Sequence, residues 1–150
     1  KYEVYEPRTY ITSSYYGNLG YAYPTALGAK VAQPDKAVVA VCGDGGFMFN
    51  VQELATAAKH HINVVAVVFN DNAFGNVMRD QVNMFDGREY GAEVQNPDFM
   101  KLAEAFGVRG VRVEGSAGDL AKAVKESLSI EAPTLIEVPV GPMPNPFRNY

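Results

Sequence analysis

The stretch that most constrains this chain runs from Ala37 to Gly75, AVVAVCGDGGFMFNVQELATAAKHHINVVAVVFNDNAFG. It opens on an apolar, β-branched run, Ala37–Cys42, that suits a buried strand. Gly43-Asp44-Gly45-Gly46 follows, too glycine-rich for strand or helix, and reads as a turn. A helical pattern starts near Met48, with Val51, Leu54, Ala55 and Ala58 at the spacing of one apolar face. A second β-branched run, Val64–Phe69, ends in Asn70-Asp71-Asn72. Strand, loop, helix and strand in this order make a βαβ unit, with both polar clusters at the carboxyl ends of strands.

In an open parallel sheet, ligands bind in the crevice beyond those carboxyl ends. Asp44 and Asp71 converge there if their strands are neighbours. A helix start near Met48 offers unpaired N–H groups and partial positive charge, and Gly45 and Gly46 let the backbone approach a bulky anion. Carboxylates beside an anion repel it unless a cation lies between them. The pattern therefore points to a phosphate group held through a metal, with Mg²⁺ the hard cation suited to oxygen ligands of this kind.

These residues resemble the C-terminal, diphosphate-binding domain of thiamine-diphosphate enzymes of the 2-oxo acid decarboxylase and acetolactate synthase superfamily. The family signature is Gly-Asp-Gly, about two dozen residues, then Asn-Asn. This chain has Gly43-Asp44-Gly45, residues 46 to 69 between, then Asn70-Asp71. The flanking text NVQELATA and NPDFMKLAEAFG agrees, and the resemblance runs from about Tyr10 to Val140.

The resemblance implies thiamine diphosphate and Mg²⁺ as cofactors. Asp44 and Asp71 become metal ligands through their side chains and Ala73 through its carbonyl. The backbone of Gly45, Gly46, Gly75 and Asn76 faces the diphosphate. In the loop Tyr16–Gly20, the Gly17 carbonyl accepts from the cofactor's amino group and Leu19 is the apolar wedge beneath it, where relatives often carry Met or Ile. Val77, Met78 and Arg79 are candidates for lining the substrate approach, although a solvated arginine is the preferred reading of Arg79. Asp71 departs from the family's Asn: it keeps the oxygen ligand and adds a negative charge. The plainer reading is that Asp71 caps the following turn.

The implied activity is decarboxylation or carboligation of small-molecule 2-oxo acids. The glutamate that activates the cofactor belongs, in the family, to the pyrimidine-binding domain of a partner subunit. Nothing here matches it, and Glu53 is the wrong candidate. No catalytic residue is therefore assigned, and the isolated chain is expected to be inactive. A start at Lys1 suggests a piece of a longer polypeptide; the resemblance implies its C-terminal domain, in a homodimer or homotetramer, and the expected location is cytoplasmic. Within the class, a simple decarboxylase or a 2-hydroxyacyl-CoA lyase is the alternative. Outside it stands a non-catalytic, Mg²⁺-binding α/β regulatory domain. A dinucleotide site is disfavoured because no G-x-G-x-x-G follows a strand.

The rest of the chain fits one domain, residues 1–150, as a doubly wound, mostly parallel α/β sheet with helices on both faces. Seven of the nine tyrosines fall at or before Tyr23. They form either a cluster packed on the sheet edge or a surface that meets another domain. Tyr21–Val31 reads as a helix with Pro24 in its first turn, and Gln33–Lys36 as a turn. His60 and His61 point to different faces and favour the helix C-terminus over a metal. A short helix around Asn76–Met84 precedes a loop, and Asn96-Pro97-Asp98 caps the helix Phe99–Phe106. Val108–Val113 is a strand, and Ser116 or Gly118-Asp119 opens a helix to about Ile130 whose core face is Ala121, Val124 and Leu128. Thr134–Val138 is the last strand, and 141–150 is a Pro-rich tail.

Composition excludes several partners. The net charge of −4 with no basic run argues against nucleic acid. Cys42 is the only cysteine, so no disulfide framework or thiolate metal site exists. No apolar run reaches membrane-spanning length.

Overall fold

The computed structural model describes residues 3–13 and 15–141. Four strands, β1 (Val39–Gly43), β2 (Val65–Asn70), β3 (Arg109–Arg112) and β4 (Thr134–Pro139), form one sheet in the order β1-β2-β4-β3. All three pairings are parallel. Helix α1 (Ala22–Ala32) precedes β1, and the crossovers that parallel neighbours require are supplied by α2 (Asp44–Met48), α3 (Glu53–His60), α4 (Gly75–Met84), α5 (Phe99–Ala105) and α6 (Ala117–Leu128).

The alternation of side chains along each strand sends apolar residues to two faces. On one face Ala40, Cys42, Ala66, Val68 and Leu135 pack with Leu27 of α1, Phe47 of α2, Leu54 and Ala57 of α3, and Phe99 and Ala103 of α5. On the other, Val65, Val67, Val111 and Ile136 pack with Leu120, Ala123 and Val124 of α6. The fold is thus the expected α/β sandwich with helices on both faces of a parallel sheet. From residue 142 onward the Pro-rich tail lies outside the described residues.

Four local expectations are corrected. The Gly43–Gly46 stretch is not a free turn: Gly43 ends β1, and α2 begins at Asp44 rather than near Met48. Two helical glycines cost roughly 1 kcal/mol each. Burial of Phe47, 1% exposed and stacked edge-on against Tyr23 at 5.4 Å, offsets this with about 1.5–3 kcal/mol. Strand β1 is an edge strand buried on one face only, with Val39 and Val41 exposed.

In α3 the inward residues are Leu54 and Ala57, with Val51 and Ala58 partly covered, while Ala55 is exposed. In α6, Leu120, Ala123, Val124 and Ser127 face inward and Ala121 and Leu128 are exposed. Both helices carry apolar residues in more than one frame, and packing on the sheet decides between frames.

The helix ends follow local chemistry. Ser116 accepts from the Asp119 N–H while the Asp119 side chain accepts from the Ser116 N–H, a reciprocal capping box. His61 closes α3 in the left-handed conformation (φ 51°), its N–H directed at the Ala57 and Ala58 carbonyls. Of the early tyrosines, Tyr23 is buried in the core, whereas Tyr5, Tyr10, Tyr15 and Tyr16 are exposed, so the packed-cluster reading fails for most of them.

Candidate functional site

Asp44 follows the last residue of β1 and Asp71 the last residue of β2. These strands pair in parallel with Gly43 opposite Phe69, so both acids leave the same edge of the sheet side by side. Asp44 is 1% exposed. Asp71 lies within hydrogen-bonding reach of it; burial first, and then the negative charge of Asp44, push the Asp71 carboxyl above its usual range. None of the ion pairs among the described residues involves either carboxylate.

The glycines around the pair mark close approach. A Cβ on Gly75 would stand 2.8 Å from Asp71 Oδ2, and one on Gly45 would stand 2.6 Å from the ring of Phe74. The Leu19 side chain reaches α2, its Cδ2 being 3.7 Å from where a Gly46 Cβ would stand. Its loop is pinned by Asn50, whose Nδ2 donates to the Gly20 carbonyl at 2.8 Å. Gly17 turns the same loop with φ 62°, its N–H donating to the Ser13 carbonyl. The structure therefore brings Leu19, Asp44, Gly45, Gly46, Asp71 and Gly75 to one place.

Ala73 is buried and bridges to Glu93 in antiparallel fashion, with Phe74 N–H donating to Ala92 and Val94 N–H to Asn72. The turn reading of Asp71 has a matching contact: its Oδ1 accepts from the Ala73 N–H at 3.3 Å. Asn76 and Val77 are exposed on α4, and Met78 is half-buried. Arg79 is not the solvated arginine expected: its side chain is 21% exposed, with Nε 3.8 Å from Asp80. Glu53 accepts from Thr56 on its own helix.

Sequence reasoning missed Asn96 and underused Asn70. Asn96 does not cap α5; Asp98 alone does so, accepting from the N–H groups of Met100 and Lys101. Asn96 Nδ2 instead donates to Asp44 Oδ2 at 2.6 Å, with Asn70 Oδ1 at 3.0 Å and Asn72 Oδ1 at 3.3 Å. Asn70 Nδ2 donates to Glu137 Oε1 at 2.8 Å, and Glu137 Oε2 accepts from Arg112 Nε at 2.8 Å. A line of polar contacts thus runs from the acidic pair to the far edge strand. The available signal was the run of amides at the end of β2, which a buried acid requires as partners.

This donor set is all oxygen, and two adjoining carboxylates without a cationic partner suit a hard cation. Among the described residues no group of three or more His, Cys, Asp or Glu is placed to hold a metal. A cation here would take its remaining ligands from backbone and from a bound anion. The N-terminus of α2 carries N–H groups with no intrahelical partner, the arrangement that receives phosphate. The residues fit a metal-bridged diphosphate.

Comparison with known proteins identifies the family. Residues 1–138 match the family described as "Thiamine pyrophosphate enzyme, C-terminal TPP binding domain". The chain is 38% identical over 146 residues to a probable acetolactate synthase large subunit of Methanococcus aeolicus, covering 94% of this chain and 24% of that protein. It is 35% identical over 136 residues to a sulfoacetaldehyde acetyltransferase of Castellaniella defragrans, covering 89% of this chain and 23% of the relative. Among solved structures it resembles the thiamine diphosphate-dependent 4-hydroxybenzoylformate decarboxylase of Rhodococcus jostii RHA1, with TM-score 0.75 and 37% identity over 82% of this chain and 23% of that one. The chain spans about a quarter of the length of these relatives.

Proposed function

The chain belongs to the thiamine pyrophosphate enzymes, as their C-terminal TPP binding domain, and from that premise we propose that it holds the diphosphate of thiamine diphosphate through Mg²⁺. In this reading the Asp44 and Asp71 carboxylates and the Ala73 carbonyl bind the metal. The N–H groups of Gly45 and Gly46 and the backbone of Gly75 and Asn76 face the diphosphate. Leu19 and Gly17 support the middle of the cofactor. When bound, the cofactor supplies the carbon nucleophile and electron sink for 2-oxo acid chemistry. The chain's own residues anchor and orient it.

The observation that carries this reading is the meeting of Asp44 and Asp71 from neighbouring strand ends. Like charges that close are stabilised by a cation between them. The parent enzyme is read as acetolactate synthase-like, acting on a 2-oxo acid by decarboxylation and carboligation. The activating glutamate comes from the pyrimidine-binding domain of a partner subunit, in a homodimer or homotetramer. The exposed rim of Tyr15, Tyr16, Leu19, Phe49 and Val77 supports such a contact, because apolar surface beside a site marks an interaction face. A simple decarboxylase is the second reading, favoured by the likeness to the solved 4-hydroxybenzoylformate decarboxylase. Among the described residues no helix is long and apolar enough to cross a membrane.

Calorimetry tests this reading. Thiamine diphosphate is expected to bind weakly and only with Mg²⁺, and Asp44→Ala to abolish the heat. Equal binding by that variant would remove Asp44 from the site. The chain alone is expected to turn over no pyruvate; measurable decarboxylation would place the activating acid within these residues.

A further inference from the structure

We propose that Asn96 is a positioning residue for Asp44, holding one carboxylate oxygen so that the other is presented to the metal; this rests on the reading of the site given above. The Asn96 amide has two hydrogens and three acceptors, at 2.6, 3.0 and 3.3 Å. The shortest contact goes to the charged acceptor, as charge assistance requires. Asp44 is 1% exposed, so this contact is shielded from bulk water and strong in the local low dielectric.

The orientation of the amide is fixed by its neighbours. Asn70 donates to the buried Glu137, which leaves Asn70 Oδ1 as an acceptor toward Asn96. That oxygen also accepts from the Asn72 N–H at 3.2 Å. Reversing Asn96 would set its carbonyl oxygen against Asp44 and Asn70, both acceptors. Glu137 is in turn held by Arg112. The donor facing Asp44 is therefore set by a chain of bonds reaching strands β3 and β4.

One amide also joins three segments: the start of α2, the end of β2 with the loop after it, and the connection from α4 to α5, whose residues 92–94 pair with 72–74. Without a cation the adjoining carboxylates repel and would swing apart. Asn96 holds Asp44 against that repulsion, so the metal meets a ligand already in place. Its removal weakens metal capture without touching the cofactor.

The test is a calorimetric titration of thiamine diphosphate into the purified protein across a series of Mg²⁺ concentrations. Asn96→Ala is expected to raise the half-saturating Mg²⁺ about tenfold, the effect of losing one hydrogen bond to a charged group. Asn96→Ser keeps one donor and is expected to give a smaller rise. Ser127→Ala cuts the bond from Arg109 Nη1 to Ser127 Oγ (2.9 Å) at the amino-terminal edge of the sheet. It is expected to lower the melting temperature and leave the Mg²⁺ requirement alone. A folded Asn96→Ala protein with the parent's Mg²⁺ requirement overturns the proposal; if the alanine variant does not fold, the same result in Asn96→Ser does so. A parent that binds no thiamine diphosphate at any Mg²⁺ level overturns the reading of the site, and this inference with it.

Discussion

Asn96 and Asp44 lie 52 residues apart in the chain, yet the amide nitrogen of one is 2.6 Å from a carboxylate oxygen of the other. That contact ties the loop ahead of α5 to the end of β1. It makes the acidic pair a supported structure rather than two side chains on flexible loops.

Gly75→Ala places a methyl carbon where Asp71 Oδ2 stands 2.8 Å away. Gly75 is the first residue of α4, and alanine is a better helix former by up to about 1 kcal/mol. The variant is expected to melt no lower than the parent while its Mg²⁺-dependent cofactor binding falls roughly tenfold or more, the loss that 1.4 kcal/mol represents. Calorimetry and a thermal melt on one sample check both halves.

Asp71→Asn removes one charge from the pair and keeps an oxygen ligand. The charge of Asp44 beside Asp71 disfavours the ionised form. The metal-free variant is therefore expected to melt higher than the metal-free parent, and to gain less on addition of Mg²⁺. Equal melting shifts with Mg²⁺ in both proteins would contradict the repulsion argument.

Ser116→Ala removes the N-cap of α6 and is expected to cost about 1 kcal/mol. Hydrogen bonds from Ser116 hold the Asp119 carboxyl below its usual range. The stability that Asp119 contributes is present above the ordinary aspartate value and lost as pH falls through its depressed folded value. Acid melts of the variant are expected to lack this part of the pH dependence, with cofactor binding unchanged.

Cys42 faces the core, and burial pushes its thiol up to about 12. Thiolate is the reactive form, so an aromatic disulfide reagent at pH 8 is expected to leave the folded protein unlabelled. Labelling should proceed at the rate of unfolding. Rapid stoichiometric labelling of native protein would contradict this packing.

The βαβ unit and its acidic loops were legible because strand periodicity and glycine placement are local, and a parallel pair carries both loop ends to one edge. The helix frames were less legible. Ala55 and Ala121 sit at plausible apolar spacings, but the sheet surface selects Ala57 and Leu120 instead. The helical start at Asp44 escaped local propensity because Phe47 must reach the core. The role of Asn96 was hidden by its sequence context: Asn-Pro-Asp before an apolar run reads as a cap. Only the tertiary fold shows that Asp98 caps the helix and Asn96 turns to the site.

The most direct test of the central claim uses Mn²⁺ in place of Mg²⁺. Crystals grown with Mn²⁺ and thiamine diphosphate would be measured for anomalous scattering from the metal. The account predicts one strong peak bonded to carboxylate oxygens of both Asp44 and Asp71, with the diphosphate against α2. A bound cofactor whose metal touches neither carboxylate would contradict it.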